Sequence, residues 1–329
     1  MRKLIFILTI AVFAASLGTA FAADYPSKNF ECIAPAGPGG GWDTTMRMAA
    51  KILTEQKIIT TAMPVTNKPG GGGGVGLTYI QRKKGDPYSL IVYSPPLILI
   101  NLTGQSKLSF QNITPLAMIM NDFGAFGIPK NSSYKDINEV FEAIKKDPKS
   151  VKVGGTSAMG SMDHIQFLVA AKAAGVTDLK SIQYIAFQGG EGIAALMGGH
   201  IDVLSTGMTE LAGLKESGDV KVLAVTSPER IPSGSLSDVP TLKDMGIDAE
   251  YVVWRGIFGA PDMPEAEKGF MQAALKKMTE TDDWKEFCSR NGLINTFMGS
   301  SDFHAFLEKS NEETKALLAE IGMLKADGK

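Results

Sequence analysis

Short apolar runs alternate with amphipathic stretches along most of the 329 residues. The runs at 30–34, 63–67, 90–93, 116–120, 125–128, 151–154, 182–187, 201–204, 220–226 and 252–258 have the length and bounding turns of strands. Between them apolar residues recur every three or four positions, as Met46, Met48, Ala49, Ile52 and Leu53 do, which predicts helices. Further helices are expected from 77 to 81, 136 to 146, 162 to 174, up to 197, and from 210 to 216. A tail of three helices follows at 265–278, 282–291 and 301–321, with 294–297 as its one strand candidate. Strands separated by helices of this length form right-handed parallel units, so the fold class is α/β. Asn121-Asp122-Phe123-Gly124 breaks two strand runs with polar residues and predicts a first crossing between two lobes. The proline-containing loop from 227 to 240 predicts the return. Lobe 1 is then 23–122 plus 227–329, and lobe 2 is 123–226.

Four of the predicted strands end in small or glycine-rich turns, and open α/β sheets bind ligands at that edge. The first turn, Pro35-Ala-Gly-Pro-Gly-Gly-Gly-Trp-Asp-Thr-Thr45, joins a strand to a helix with Asp43 or Thr44 as the expected cap. Its glycines let a ligand approach the backbone, and the unpaired N–H groups of a first helical turn attract an anion. The turn holds no lysine or arginine, so an anion there would be gripped mainly by backbone. Lys68-Pro69 and five glycines, Gly70 to Gly74, make a second turn of the same kind, at considerable cost in backbone entropy. An ordinary strand-to-helix connection is the plain alternative for both.

Residues 1–22 change the picture of where the chain works. Arg2 and Lys3 lead an apolar run to Leu17, and Ala20-Phe21-Ala22 supplies a small-residue cleavage site, the pattern of a secretory signal peptide. No later apolar run is long enough to span a bilayer, so a soluble exported protein is expected. Removing two basic residues leaves 33 − 2 = 31 against 35 acidic ones, a net charge of about −4 with no basic stripe for nucleic acid. The two cysteines, Cys32 and Cys288, could pair in an oxidising compartment or stand as separate buried thiols.

Other chemistries fit less well. Gly71 to Gly76 matches the glycine spacing of a dinucleotide turn, but Tyr93, Ser94, Pro95 and Pro96 stand where a ribose-binding acid belongs. Ser161, Asp163 and His164 suggest a hydrolase, yet they share one helical turn and lack a Gly-x-Ser-x-Gly elbow. Ser161 reads better as a helix N-cap and anion donor. The three histidines share no metal-ligand spacing. Asp202 either caps a turn or faces a cleft. Trp254 and Arg255 read as core and surface, or as cleft wall and cation, with a hinge-side role favoured.

The motifs fall in a familiar order: Pro38-Gly-Gly-Gly-Trp-Asp43, Asn67 to Gly76, Gly155-Thr-Ser-x-x-Gly-Ser-x-x-His164, Phe187-x-Gly-Gly-Glu191 with Gly198-Gly-His-Ile-Asp202, and Ala224-Val-Thr-Ser-Pro-Glu-Arg230. This resembles the extracytoplasmic receptors of tripartite tricarboxylate transporters, also called the Bug family of solute receptors, over the whole mature chain. The first motif is most similar to the citrate-receptor branch. The resemblance implies a two-lobed type II periplasmic-binding fold with a ligand cleft between the lobes. It implies a periplasmic receptor that captures a small di- or tricarboxylate, citrate-like acids first, and delivers it to an integral-membrane permease. Carried over by motif, the ligand residues are Gly39, Gly40, Gly41, Trp42, Asp43, Gly72, Gly73 and Gly74 in lobe 1. In lobe 2 they are Thr156, Ser157, Ser161, Gly189, Gly190 and Asp202. Glu191 and Asp163 depart from the small residues usual there and leave the ligand's far end open. No cofactor, metal or catalytic residue is implied, and a monomer is expected. A sensory partner of a membrane kinase and a secreted esterase are the alternatives.

Overall fold

The computed structural model describes residues 25–187, 191–232 and 234–325. The signal-peptide reading of 1–22 and the glycines Gly189 and Gly190 lie outside these residues. Among these residues ten strands pair into one continuous sheet through a single shared strand. On one side β1 (Glu31–Ala34) pairs in parallel with β2 (Val65–Asn67) and β3 (Ser89–Tyr93). On the other, β5 (Lys152–Gly155) pairs in parallel with β6 (Gln183–Ala186) and β7 (Val203–Gly207). Between them β4 runs unbroken for 16 residues, Thr114–Pro129.

This strand is where the sequence reading is corrected. Asn121 to Gly124 is no break in β4. Residues 114–123 pair with β9 (Val252–Gly259), and Gly124–Gly127 pair with β7. β8 (Val220–Val225) and β10 (Ile294–Gly299) complete the two sheets along the same strand. Asp122 is buried with its carboxylate accepting from the Phe123 N–H at 2.8 Å, so a polar residue is accommodated without interrupting the ladder.

Helices cover both faces. On the first sheet, α1 (Gly41–Glu55) packs with α8 (Glu265–Glu280) and α9 (Asp282–Arg290) over a core of Cys32, Leu90, Leu116, Ile257, Trp284 and Cys288. Both cysteines are free and buried, which settles the pairing question for separate thiols. The opposite face carries α2 (Gly74–Gln81), α3 (Pro96–Leu102) and the long α10 (Ser300–Glu320). The sequence pattern predicts no element over residues 97–100; they form α3, with Pro96 at its first turn and every side chain from 96 to 100 buried. On the second sheet lie α4 (Ile137–Lys146), α5 (Met162–Ala173), α6 (Glu191–Met197) and α7 (Met208–Glu216). The loop after β8 packs with that sheet: Ile231, Leu236 and Val239 join a core of Leu204, Leu211 and Val220.

Candidate functional site

The parallel strands fix where the turns meet. The carboxyl ends of β1, β2 and β3 lie on one edge, with turns 35–41, 68–74 and 94–96; those of β5, β6 and β7 lie on the corresponding edge of the second sheet. At the first turn the helix begins at Gly41, two residues before the expected cap. Gly40 is the N-cap, and Asp43 reaches back to accept from the Gly39 N–H at 2.9 Å. Arg47 Nε and Asn67 Nδ2 also donate to Asp43, at 2.9 and 2.7 Å. Burial opposes the charge of Asp43, but these donors outweigh it and hold the carboxyl below its usual range. Asp43 therefore ties the first turn to the second, and its carboxylate is already fully engaged.

The second turn explains its glycines. Gly70, Gly71, Gly72 and Gly73 all have positive φ, from 58° to 123°, a sequence of conformations that side chains disfavour. The Tyr93 hydroxyl donates to the Gly73 carbonyl at 2.8 Å and pins the turn, and Trp42 packs edge-on against the Tyr93 ring. Trp42 Nε1 donates to Ser94 Oγ at 2.9 Å, so the first and third turns are joined as well. Some amides are spent inside the turns: Gly40 donates to Gly37, Gly73 to Gly70 and Gly74 to Gly71. Among the described residues, the N–H groups of Gly41, Trp42, Asp43, Gly71 and Gly72 have no partner.

At the second sheet, Ser161 takes the N-cap position of α5 without a side-chain capping bond; Ser157 Oγ accepts from the Asp163 N–H instead, at 3.2 Å. Thr156 Oγ1 donates to Asp163 at 3.0 Å and lies 3.1 Å from Thr206 Oγ1. Thr206 in turn donates to Glu210 at 2.9 Å. Burial, with Glu210 nearby, pushes the Asp163 carboxyl up to about 7, and the neighbouring His164 is held neutral by burial, down to about 4. The surrounding protein also raises Glu210, although that side chain still reaches solvent, as a crevice wall does. Asp202 is elsewhere. It sits at the opening of β7, at the opposite end of the strand, where its carboxylate accepts from the Lys152 N–H at 2.8 Å and its own N–H donates to Lys152. The turn-capping reading fits it, and the structure does not bring it to the other predicted residues.

Between the two edges stands Arg255 on β9. Its guanidinium packs so closely on Gly41 that an added Cβ there would overlap it. Nη2 is 3.3 Å from Asp122 Oδ2 and Nη1 is 3.4 Å from Thr45 Oγ1, while Nε has no partner. Asp122 is approached from the other side by Thr209 Oγ1 at 3.5 Å. A polar path thus runs from the first turn to the second sheet. Arg255, Asp122, Thr206 and Glu210 were invisible as a group in sequence because they come from three separate strands and one helix. Of the four, Arg255 alone is singled out in the sequence as a cleft cation, on the hinge side; Glu210 carries the further signal that it follows a strand carboxyl end as the other turn residues do. A cavity of about 690 Å³ lies on the other face of β9, walled by Ile98, Ile165, Tyr251, Trp254, Phe306 and Leu317; of the residues the sequence singles out as cleft candidates only Trp254 lines it, and none of the glycine-turn or Thr156–Ser161 residues does.

Residues 46–323 match the tripartite tricarboxylate transporter family receptor. The chain belongs to that family. A curated relative, the UPF0065 protein in the gbd 5′ region of Cupriavidus necator, is 26% identical over 331 residues, with 96% of each chain covered. Among solved structures, this receptor resembles MatC from Rhodopseudomonas palustris with bound malate (TM-score 0.74, 18% identity, 89% of this chain and 100% of that one). It also resembles an R. palustris protein with adipate (TM-score 0.79, 19% identity, 91% and 99%) and the periplasmic binding protein BugD (TM-score 0.75, 21% identity, 92% and 100%). These likenesses establish the solute-binding fold. The hydrolase reading gains nothing from the geometry: the His164 Nδ1 accepts from the Gly160 N–H at 3.1 Å and its ring packs on Tyr184, so it is a structural histidine.

Proposed function

We propose that the receptor captures a small di- or tricarboxylate, citrate-like acids included, between the two sheet edges and hands it to an integral-membrane permease. The supporting observation is the set of unpaired amides at Gly41, Trp42, Asp43, Gly71 and Gly72, which converge on one edge with no anion of the protein's own to satisfy them. Gly39, Gly40, Gly73 and Gly74 shape those turns, while Thr156, Ser157 and Ser161 face them from the second sheet. The malate and adipate on two structural neighbours favour the same ligand class. We place the hinge at Asp122–Phe123 and at Tyr251–Val252, because the loop after β8 packs with the second sheet. The chain then works as a monomer in the periplasm after loss of residues 1–22.

Charge-assisted hydrogen bonds contribute roughly 1.5–3 kcal/mol each, and a helix terminus up to about 2 kcal/mol. Four such bonds and one terminus total roughly 8–14 kcal/mol. That is enough for the ~8 kcal/mol of micromolar binding when ordering costs stay at the low end of their range, as in preorganised turns. Ligand that touches both halves stabilises the closed arrangement, which is what a permease would recognise. Calorimetric titration with malate, adipate, citrate, glucose and alanine tests the reading. Binding of one or more carboxylates near micromolar Kd, without glucose or alanine, is the expected outcome; tight binding of glucose alone defeats it.

A further inference from the structure

The second-sheet half of the crevice is rich in carboxylates and short of cations. Asp122, Asp163 and Glu210 stand together there, and Arg255, already engaged with Asp122, is the one nearby cation among the described residues. Among the described residues neither Asp163 nor Glu210 takes part in an ion pair. Asp163 is completely buried, yet its Oδ1 has no hydrogen-bond partner, and the buried Gln166 Oε1 on the same helix has none either. A second ionised carboxylate arriving from a ligand would meet uncompensated negative charge.

The hydroxyls between the acids add a count of protons. Asp163, Thr156, Thr206 and Glu210 form a line with oxygen separations of 3.0, 3.1 and 2.9 Å. Three contacts need three protons, and two threonines carry two. With both hydroxyls donating outward to carboxylates, the Thr156–Thr206 contact has none. It becomes a hydrogen bond only when one end carboxyl is itself protonated and donates inward, turning the hydroxyls in sequence. We propose that this chain holds one proton in the liganded receptor, so that the crevice captures its di- or tricarboxylate together with a proton taken from solvent, shared between the ligand's far carboxyl, Glu210 and Asp163. The inference rests on the carboxylate reading above and deepens it.

Other charged and titratable groups facing the chain do not replace that proton. Asp122 and Arg255 face Glu210, and as a pair they add little net charge. Tyr184 and Tyr251 face Asp163 and are both raised by burial and by Asp163 itself, so they stay neutral. His164 is held neutral by burial. The upward shifts of Asp163 and Glu210 agree with a proton retained near neutrality.

Titration calorimetry at pH 8 in phosphate and in Tris, whose ionisation enthalpies differ, counts the protons. The probes are the dicarboxylates succinate, malate and adipate, each beside a half-amide. Expected for the dicarboxylate that binds is uptake approaching one proton, with affinity falling about tenfold per pH unit above pH 7.5. The half-amide should bind with no uptake and no such slope. Glu210→Gln, at a solvent-reaching position, should abolish the uptake and flatten the slope; Asp163→Asn should do the same if it folds. Zero uptake by the wild-type receptor on binding a dicarboxylate overturns the proposal, as does uptake unchanged in Glu210→Gln. So does tighter binding of 6-aminohexanoate than adipate, because an ammonium group would then neutralise these acids. If no carboxylate binds in any arm, the receptor reading falls first, and that result is separable from a bound dicarboxylate that brings no proton.

Discussion

The five-glycine run shows how much chemistry a single residue type conceals. Gly72 and Gly74 are indistinguishable in sequence, yet they occupy different conformations. Gly72 has φ +60°, and a Cβ there would sit 2.9 Å from Ile100 Cγ2. Gly74 has φ −58°, and its Cβ would meet nothing within 4 Å. Gly72→Ala should therefore destabilise by about 1–2 kcal/mol from left-handed strain alone, with more from displacing Ile100. Gly74→Ala should be neutral or stabilise by about 0.4–1 kcal/mol, since it restricts the unfolded chain at a helix-compatible position. Urea denaturation of the two variants checks the pair; equal losses would mean that the turn is not held as described. That the run meets a backbone demand was legible in the sequence, and the positive φ of Gly70 to Gly73 is that demand. Which amides stay unpaired was not, since it depends on Tyr93, 20 residues on, fixing the Gly73 carbonyl.

At the scale of elements, nearly every strand and helix was legible from periodicity. The misses share one cause, which is burial from both sides. α3 lost its helical signature because all its faces are covered, and β4 hid its continuity because Asp122 is paired inside rather than exposed at a break. The opening turn of α5 carries a prediction of its own. Asp163 is raised to about 7, so the folded state holds more protons than the unfolded one between about pH 4 and 7, and stability falls as pH rises through that window. His164 is lowered to about 4, so between about 4 and 6.5 the unfolded state holds more, and stability rises with pH. Adjacent on one helix, the two slopes oppose each other below pH 6.5, leaving a decline only from about 6.5 to 7. Asp163→Asn should expose the rising slope, and His164→Gln the falling one across the whole window. Thermal unfolding from pH 4 to 7.5 reads both; parallel profiles for the two variants would show that neither group titrates as described.

On the scale of the whole molecule, the closure proposed above depends on what joins the two halves besides β4 and β9. The segment after α10 is one such link. Phe303 and Leu307 seat the helix on the first sheet, packed near Trp254 and Phe258. Its far end leans on the second: Glu320 pairs with Lys172 of α5. Gly322, at φ +70°, then turns the chain in a C-terminal cap in which the Met323 and Leu324 N–H groups both donate to Leu318. Met323 thereby reaches the neighbourhood of Gly160 in the Thr156–Ser161 turn and of Thr103 after α3, and the Lys325 N–H donates to the Leu102 carbonyl at 3.1 Å. These contacts cross from one half to the other without passing through the hinge strands, so they favour the arrangement in which the edges stay close. The exposed Lys172–Glu320 pair contributes at most about 1 kcal/mol, and Met323 adds packing, which together bias an open–closed equilibrium rather than lock it. Lys172→Ala with Met323→Ala should therefore raise the radius of gyration of the ligand-free receptor in small-angle scattering and weaken carboxylate binding a few-fold. The ligand-bound radius should stay unchanged, because bound ligand supplies its own bridge between the halves. Identical scattering and affinity in the double variant would show that the hinge strands alone set the spacing.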